Sequence, residues 1–149
     1  MLSINFKDNL KVPDLNFNNE LDFIARRIII PDIQKNMVAE TDIEGNIYAP
    51  LAESTIKIKK RKGYSGKILE ATGQLKKSFV YGVRKNVALI TLMVIRKTIG
   101  KYLQVDGVKS KVFGKRKFNF FGISKQAEKL ALDHMELNIR RRVKNAGSK

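Results

Sequence analysis

Apolar residues recur along the first third of the chain at helical spacing. Leu21, Ile24 and Ile28 share one face, and Ala25, Ile29, Ile33 and Met37 run beside it at i, i+4, which predicts helix over residues 16–40. Asn18 or Asn19 would cap its start, because a short polar side chain accepts an orphan backbone N–H. Glu20 and Asp22 suit the positive end of the helix dipole. Pro31 lacks an N–H and its ring crowds the carbonyl of residue 27, so the expected element is a kinked helix, or a helix pair with Pro31 near the start of the second. Ahead of it, Leu2, Ile4 and Phe6 alternate with polar residues, an edge-strand pattern in an N-terminal arm (residues 1–15) that Pro13 ends. Glu44-Gly45-Asn46 reads as a turn.

Further on, the period changes to two. Phe79, Tyr81 and Val83 alternate with other residues over Ser78–Arg84, and Lys85-Asn86 reads as a hairpin turn, since Asn tolerates positive φ. The run Val87–Ile95 is apolar on both faces: Val87, Leu89, Met93 and Ile95 on one, Ala88, Ile90, Leu92 and Val94 on the other. A strand of this kind needs cover on both sides. One side suits the chain's own helices, and a neighbouring copy or the C-terminal helix would cover the other. Leu89, Ile90, Leu92 and Val94 are accordingly candidate subunit-interface residues. Four glycines, Gly100, Gly107, Gly114 and Gly122, punctuate residues 97–122, and Lys111–Phe121 interleaves bases with aromatics as a further strand with Phe118 and Phe120 on one side. Ser124 would cap a last helix of about 20 residues. Its row is Ala127, Leu130, His134, Leu137 and Arg141, flanked by Ala131, Met135 and Ile139. Arg140, Arg141, Arg142 and Lys144 complement its negative pole, and residues 145–149 are expected to fray.

These elements predict one α+β domain over residues 1–149: an N-terminal kinked helix or helix pair, an antiparallel sheet of about four strands with a long basic loop, and a C-terminal helix. The 149 residues, 43% hydrophobic, suffice for a single core. The chain has no cysteine, which excludes disulfides and thiolate zinc sites, and a single histidine, His134, cannot build a multi-histidine metal site. Cysteine absence fits a reducing cytoplasm. No apolar run reaches the roughly 18 residues that span a bilayer, and the start lacks a basic-then-apolar leader, so a soluble protein without a membrane partner is expected.

Charge sharpens the picture. The net charge is +16, yet residues 1–55 hold 5 Lys/Arg against 9 Asp/Glu, a balance of −4, while residues 56–149 hold 25 against 5, a balance of +20. Such asymmetry suits a polyanion, or an acidic face of one copy docking on a basic face of another. The densest basic run, residues 57–67, carries Lys57, Lys59, Lys60, Arg61, Lys62 and Lys67 with two glycines. Like-charge repulsion predicts a mobile, exposed loop there, preceded by Ser54 and Thr55 as cap or turn residues. A short element from Ile68 to Leu75 returns to the core, broken at Gly73. The lysines would neutralise phosphates and Tyr64 would stack on a base, which makes them candidate DNA- or partner-contacting residues.

No catalytic constellation emerges. There is no GxSxG elbow and no HExxH, and Gly63-Tyr64-Ser65-Gly66-Lys67 lacks the spacing of a phosphate loop. Asp42 and Glu44 read as a solvated turn sooner than a cation site, and His134 as a half-exposed helix residue. Phe113, Phe118, Phe120 and Phe121 beside Lys115, Arg116 and Lys117 suit a half-buried strand better than a stacking platform. No enzyme, cofactor or metal is expected.

The stretch Tyr48–Phe79 has a distinctive order. Tyr48, Pro50 and Leu51 come first, Ser54 and Thr55 lead into the basic run, and Leu69, Thr72, Gly73, Leu75, Ser78 and Phe79 close it. Downstream come Tyr102, Gln104 and Gly107, then Phe120, Phe121, Gly122, Ile123 and Ser124 at a turn before the last helix. This order, from about residue 16 onward, resembles the phage virion morphogenesis or tail-completion family, which includes the Mu-like tail proteins. Tyr48 stands where tryptophan is common, and the aromatic segment lacks the family's usual histidine. The resemblance implies a non-enzymatic neck or tail component of tail-terminator type. Its α+β subunits would assemble as a ring, often hexameric, where tail joins head. The implied partners are further copies and adjoining neck, connector or tail-tube proteins, with DNA in the channel a further candidate. The implied location is the virion, after assembly in the host cytoplasm. From charge alone, the alternative is a small basic DNA-binding protein using Lys57–Lys67.

Overall fold

The computed structural model describes residues 16–70, 72–93, 96, 99–100, 103–104, 108–110 and 114–147. The expected arm at residues 1–15 lies outside them, as do Val94, Ile95, Tyr102, Gly107, Lys111, Phe113 and residues 148–149.

The apolar pattern of the first third folds as one helical path: α1 (Asn18–Ile24), a π-helical segment (Ala25–Ile29) and α2 (Ile30–Ala39). Both junctions keep helical dihedrals, Ala25 at φ −59, ψ −49 and Ile30 at φ −62, ψ −45. The interruption expected at Pro31 thus takes the form of a π turn just ahead of the proline, which sits in the first turn of α2. The wider turn carries the backbone across the site where the proline ring would crowd an α-helical carbonyl. Asn18 and Asn19 are not caps: α1 begins at Asn18, and Phe17 precedes it without a side-chain cap. Instead the Phe17 N–H donates to Asn86 Oδ1 at 2.7 Å, and the Asn86 N–H donates to Asn18 Oδ1 at 2.9 Å. The tip of a distant hairpin therefore clasps the helix start.

That hairpin is β1 (Phe79–Arg84) and β2 (Val87–Leu92), paired antiparallel in a register running from Phe79↔Leu92 to Arg84↔Val87. Lys85 and Asn86 turn with φ of 50 and 60, both left-handed as a two-residue type I′ turn demands. Phe79, Tyr81 and Val83 lie half-buried while Val80, Gly82 and Arg84 face out. In β2 the inward residues are Ala88, Ile90 and Leu92, and the strand stops at Leu92, short of the full apolar run. A second ribbon pairs β3 (Val108–Ser110) with β4 (Gly114–Arg116). The four described strands thus form two separate two-stranded antiparallel ribbons and not one sheet. Of the strand expected over Lys111–Phe121, residues 111–113 lie outside the described residues, Gly114–Arg116 are β4, and the stretch after them is irregular, Phe118 and Phe120 (6% and 0% exposed) both entering the core from it.

The last helix, α4 (Lys125–Gly147), starts where expected: Ser124 Oγ accepts the Ala127 N–H at 3.1 Å. It runs to Gly147, past Asn145 where fraying was expected. Its buried side also differs from the expected row. Ala127, Ala131, His134, Met135, Asn138 and Arg142 turn inward, while Leu130, Leu137 and Arg141 are exposed. Two contacts accompany this rotation: His134 stacks on Phe23 with centroids 4.4 Å apart, and Arg142 pairs with Glu20. The core gathers Ile24, Ile29, Ile33, Met37, Ile68, Leu75, Leu92, Phe118 and Phe120.

Candidate functional site

The first part of the basic run, Lys57–Arg61, is helical, and residues 62–67 form an exposed turn and loop after it. α3 (Glu53–Arg61) follows Ala52, whose extended backbone lets Glu53 open the helix; Ser54 and Thr55 sit exposed in its first turn and cap nothing. Its end explains why repulsion does not melt it. Gly63, at φ +67, donates its N–H to the Lys60 carbonyl and Tyr64 donates to the Lys59 carbonyl, both at 2.9 Å, a Schellman closure that satisfies the last carbonyls. Lys59, Lys60 and Arg61 fall in the last turn, where cations complement the dipole. Gly63 therefore serves a left-handed cap, not flexibility.

Lys59 differs from its neighbours. Its ammonium donates to the carbonyl of Lys67 and to that of Glu70, the latter at 3.4 Å, and so bolts α3 onto the returning segment. Burial lowers its pKa from the usual lysine value, partly offset by the carboxylates of Glu40 and Glu70. Lys57, Lys60, Arg61 and Lys62 are exposed, as is Lys67 beyond the helix. Lys57, Lys60 and Arg61 stand at i, i+3 and i+4, so they share a face, with Ile58 exposed (47%) among them. Only Ile56 and Lys59 of α3 are even half-buried.

The residues of the sequence motif flank this helix. Leu51 and Leu69 pack on the core, and Leu75 belongs to it; Pro50 and Thr72 are exposed. Leu69 and Gly73 adopt left-handed φ of 56 and 72. Ser78 is buried and its hydroxyl donates to the Leu75 carbonyl at 2.7 Å. A cleft of about 260 Å³ brings Leu69, Thr72, Gly73 and Leu75 together with Lys59 and Arg96. Glu40, in left-handed conformation at the end of α2, accepts the Ile68 N–H at 2.5 Å and pins the return.

Of the expected interface residues, only Leu89 stands on an open face, 67% exposed; Ile90 and Leu92 point into the chain's own core, because alternate β2 residues face α1, and Val94 lies outside the described residues. Val80, Val87 and Met93 join Leu89 as exposed apolar residues.

Other candidates resolve into structure. The Asp42 carboxylate accepts the N–H groups of Glu44 and Asn46 and the Asn46 amide, organising the turn around Gly45. Burial acts to raise its pKa, and the hydrogen bonds from Asn46, Glu44 and Gly45 outweigh it, holding the carboxyl below the usual aspartate value. Among the described residues no three His, Asp or Glu groups converge on a metal-sized site, and no helix is long and apolar enough to cross a membrane. Phe121 stacks on Phe79 at 5.8 Å, and with Phe118 and Phe120 in the core these rings form no stacking platform. Tyr48 meets Phe118 edge-on; its hydroxyl is buried without a hydrogen-bond partner, and burial, with the Asp42 charge, pushes its pKa well up.

Comparison with protein-family models, curated proteins and solved structures returned no match.

Proposed function

We propose that this chain is a structural component of a phage or prophage virion, a tail-completion or neck protein that assembles with further copies as a ring at the head–tail junction and contacts adjoining neck or tail proteins. The observation that carries the reading is the outer face of the β1–β2 hairpin, where Val80, Val87, Leu89 and Met93 are 40–67% exposed, uncovered by any of the described residues. Apolar faces of this kind mark protein–protein contact. The motif order supports it, and a ring assigns the uneven charge to pairing between neighbours. Labelling the protein in purified particles tests the reading: it should localise at the neck or tail end, and its absence from particles overturns it.

The exposed basic face of α3 favours a second reading, duplex DNA contact through Lys57, Lys60, Arg61 and Lys62. Binding would then fall steeply with salt, and neutralising these four residues would flatten the slope. No binding at low salt dismisses it.

A further inference from the structure

We infer that the outer face of the β1–β2 hairpin docks, head to tail, on an acid-edged apolar row of α4 in a second copy of this chain. This pairing rests on the ring reading and names the two surfaces that would meet.

The hairpin supplies an apolar, basic-edged surface. Leu89 lies opposite Gly82 in the register, so it rises from the sheet beside a bare position. Val80 and Val87 extend the apolar area, with Met93 just past the strand end. Phe79–Leu92 contains no acidic residue, and Arg84 and Lys85 are exposed at the tip. Like charge opposes stacking one such hairpin on another.

α4 supplies the complement. Leu132, Ile139 and Val143 are 63%, 42% and 55% exposed, at i, i+7 and i+11, which places them in one stripe. Glu128 and Glu136 stand four residues either side of Leu132, and Asp133 adjoins it; all three are exposed, and they are all of the acids on the helix. Glu136 already pairs with Arg140 at 2.6 Å, but on the surface, where such a pair holds little energy and can be redrawn. A ridge of side chains on a helix packs on the face of a strand pair, as the layers of an α+β domain do. The basic tip of the hairpin then lies over Glu128, Asp133 and Glu136, which outnumber Lys125 and Lys129 in the first half of α4, and away from Arg140, Arg141, Arg142 and Lys144 in its second half. Because the two surfaces differ, the pair keeps one free hairpin face and one free helix row after the first contact, and the contact propagates until a ring closes.

The test uses the full chain and two variants, Leu89→Lys and Leu132→Lys, sized by analytical ultracentrifugation across a concentration series. Both positions are exposed, so the far-UV circular dichroism spectra of the variants should match the parent's. The parent should associate, and each variant alone should lose association by at least about tenfold in Kd. An equimolar mixture should give a 1:1 heterodimer and no more, since one variant keeps a sound helix row and the other a sound hairpin. Arg84→Glu and Glu136→Arg should each weaken association and restore it when mixed. Variants that retain the parent's size, mixtures that stay monomeric, or a parent that never associates would each overturn the inference. Particle localisation, which tests the function itself, is a separate readout.

Discussion

Arg142 and Glu20 meet across 122 residues of sequence, tying the last turns of α4 to the first turn of α1. Their side chains are only 26% and 11% exposed, and the second carboxylate oxygen of Glu20 is buried without a partner. Arg142 also donates to the Asn16 carbonyl at 2.6 Å and covers the Phe17 ring. Removing the guanidinium leaves a carboxylate in a poor place for charge. Arg142→Ala should cost about 2 kcal/mol in urea unfolding, a partly buried pair falling between surface and interior values. Adding Glu20→Gln should return part of that loss. Additive effects in the double-mutant cycle would refute the coupling.

The hairpin tip offers an opposed pair of outcomes. Asn86→Ala should destabilise by about 2 kcal/mol, since it loses its bond from Phe17 and leaves a poor left-handed residue. Lys85→Asn should raise stability by about 0.5 kcal/mol, because asparagine tolerates the φ of 50 better than lysine. Thermal melts of both variants decide it.

A methyl group placed on Gly100 would overlap Leu92 Cδ1 and sit 3.9 Å from the Phe120 ring. Gly100→Ala should therefore cost about 1–3 kcal/mol by overpacking. Leu92→Ala alone should cost about 2–5 kcal/mol as a cavity. The double variant should be more stable than the sum of the two losses implies, and simple additivity would contradict the contact.

Asp42 should titrate below about 3.9, the ordinary aspartate value, in a carboxyl NMR pH series. A depressed folded pKa contributes stability above the unfolded pKa and loses it as pH falls through the folded one. Asn46→Ala should move the midpoint back up; an unmoved midpoint would show that the Asn46 side-chain amide does not set it.

Within α3, Lys59→Ala should lower stability by about 1 kcal/mol, because it alone donates to the returning backbone. Lys60→Ala should change it by less than about 0.5 kcal/mol, as an exposed position. Equal effects would mean that α3 is not held by Lys59.

Local rules make part of this structure legible. The Lys85-Asn86 turn, the alternation of β1 and the Ser124 cap each depend on neighbouring residues, and each is present. The α3 helix is also written locally, in Gly63 after a cationic last turn. The mutual repulsion of Lys57 to Lys62 points the other way, and the Schellman closure and the dipole outweigh it. No local pattern reveals the long-range partners: Asn86 on Asn18, Glu40 on Ile68, Arg142 on Glu20. Glu20 and Arg142 each have a sufficient local explanation in the helix dipole, which hides their pairing. Ile90 and Leu92 likewise look equivalent to Leu89 until α1 covers one side of β2.

The π segment at Ala25–Ile29 bears on something larger than Pro31. The buried positions Ala25, Ile29, Ile33 and Met37 are spaced by four. On a regular α-helix of about 3.6 residues per turn each step of four overshoots by about 40°, so the stripe would spiral off the core within a few turns. The wider turn absorbs part of that overshoot and works as a phase corrector for the whole rod. Removing one residue inside the segment would restore an ordinary helix locally, and would thereby rotate every residue N-terminal to it, Asp22 and Glu20 included, out of step with α2.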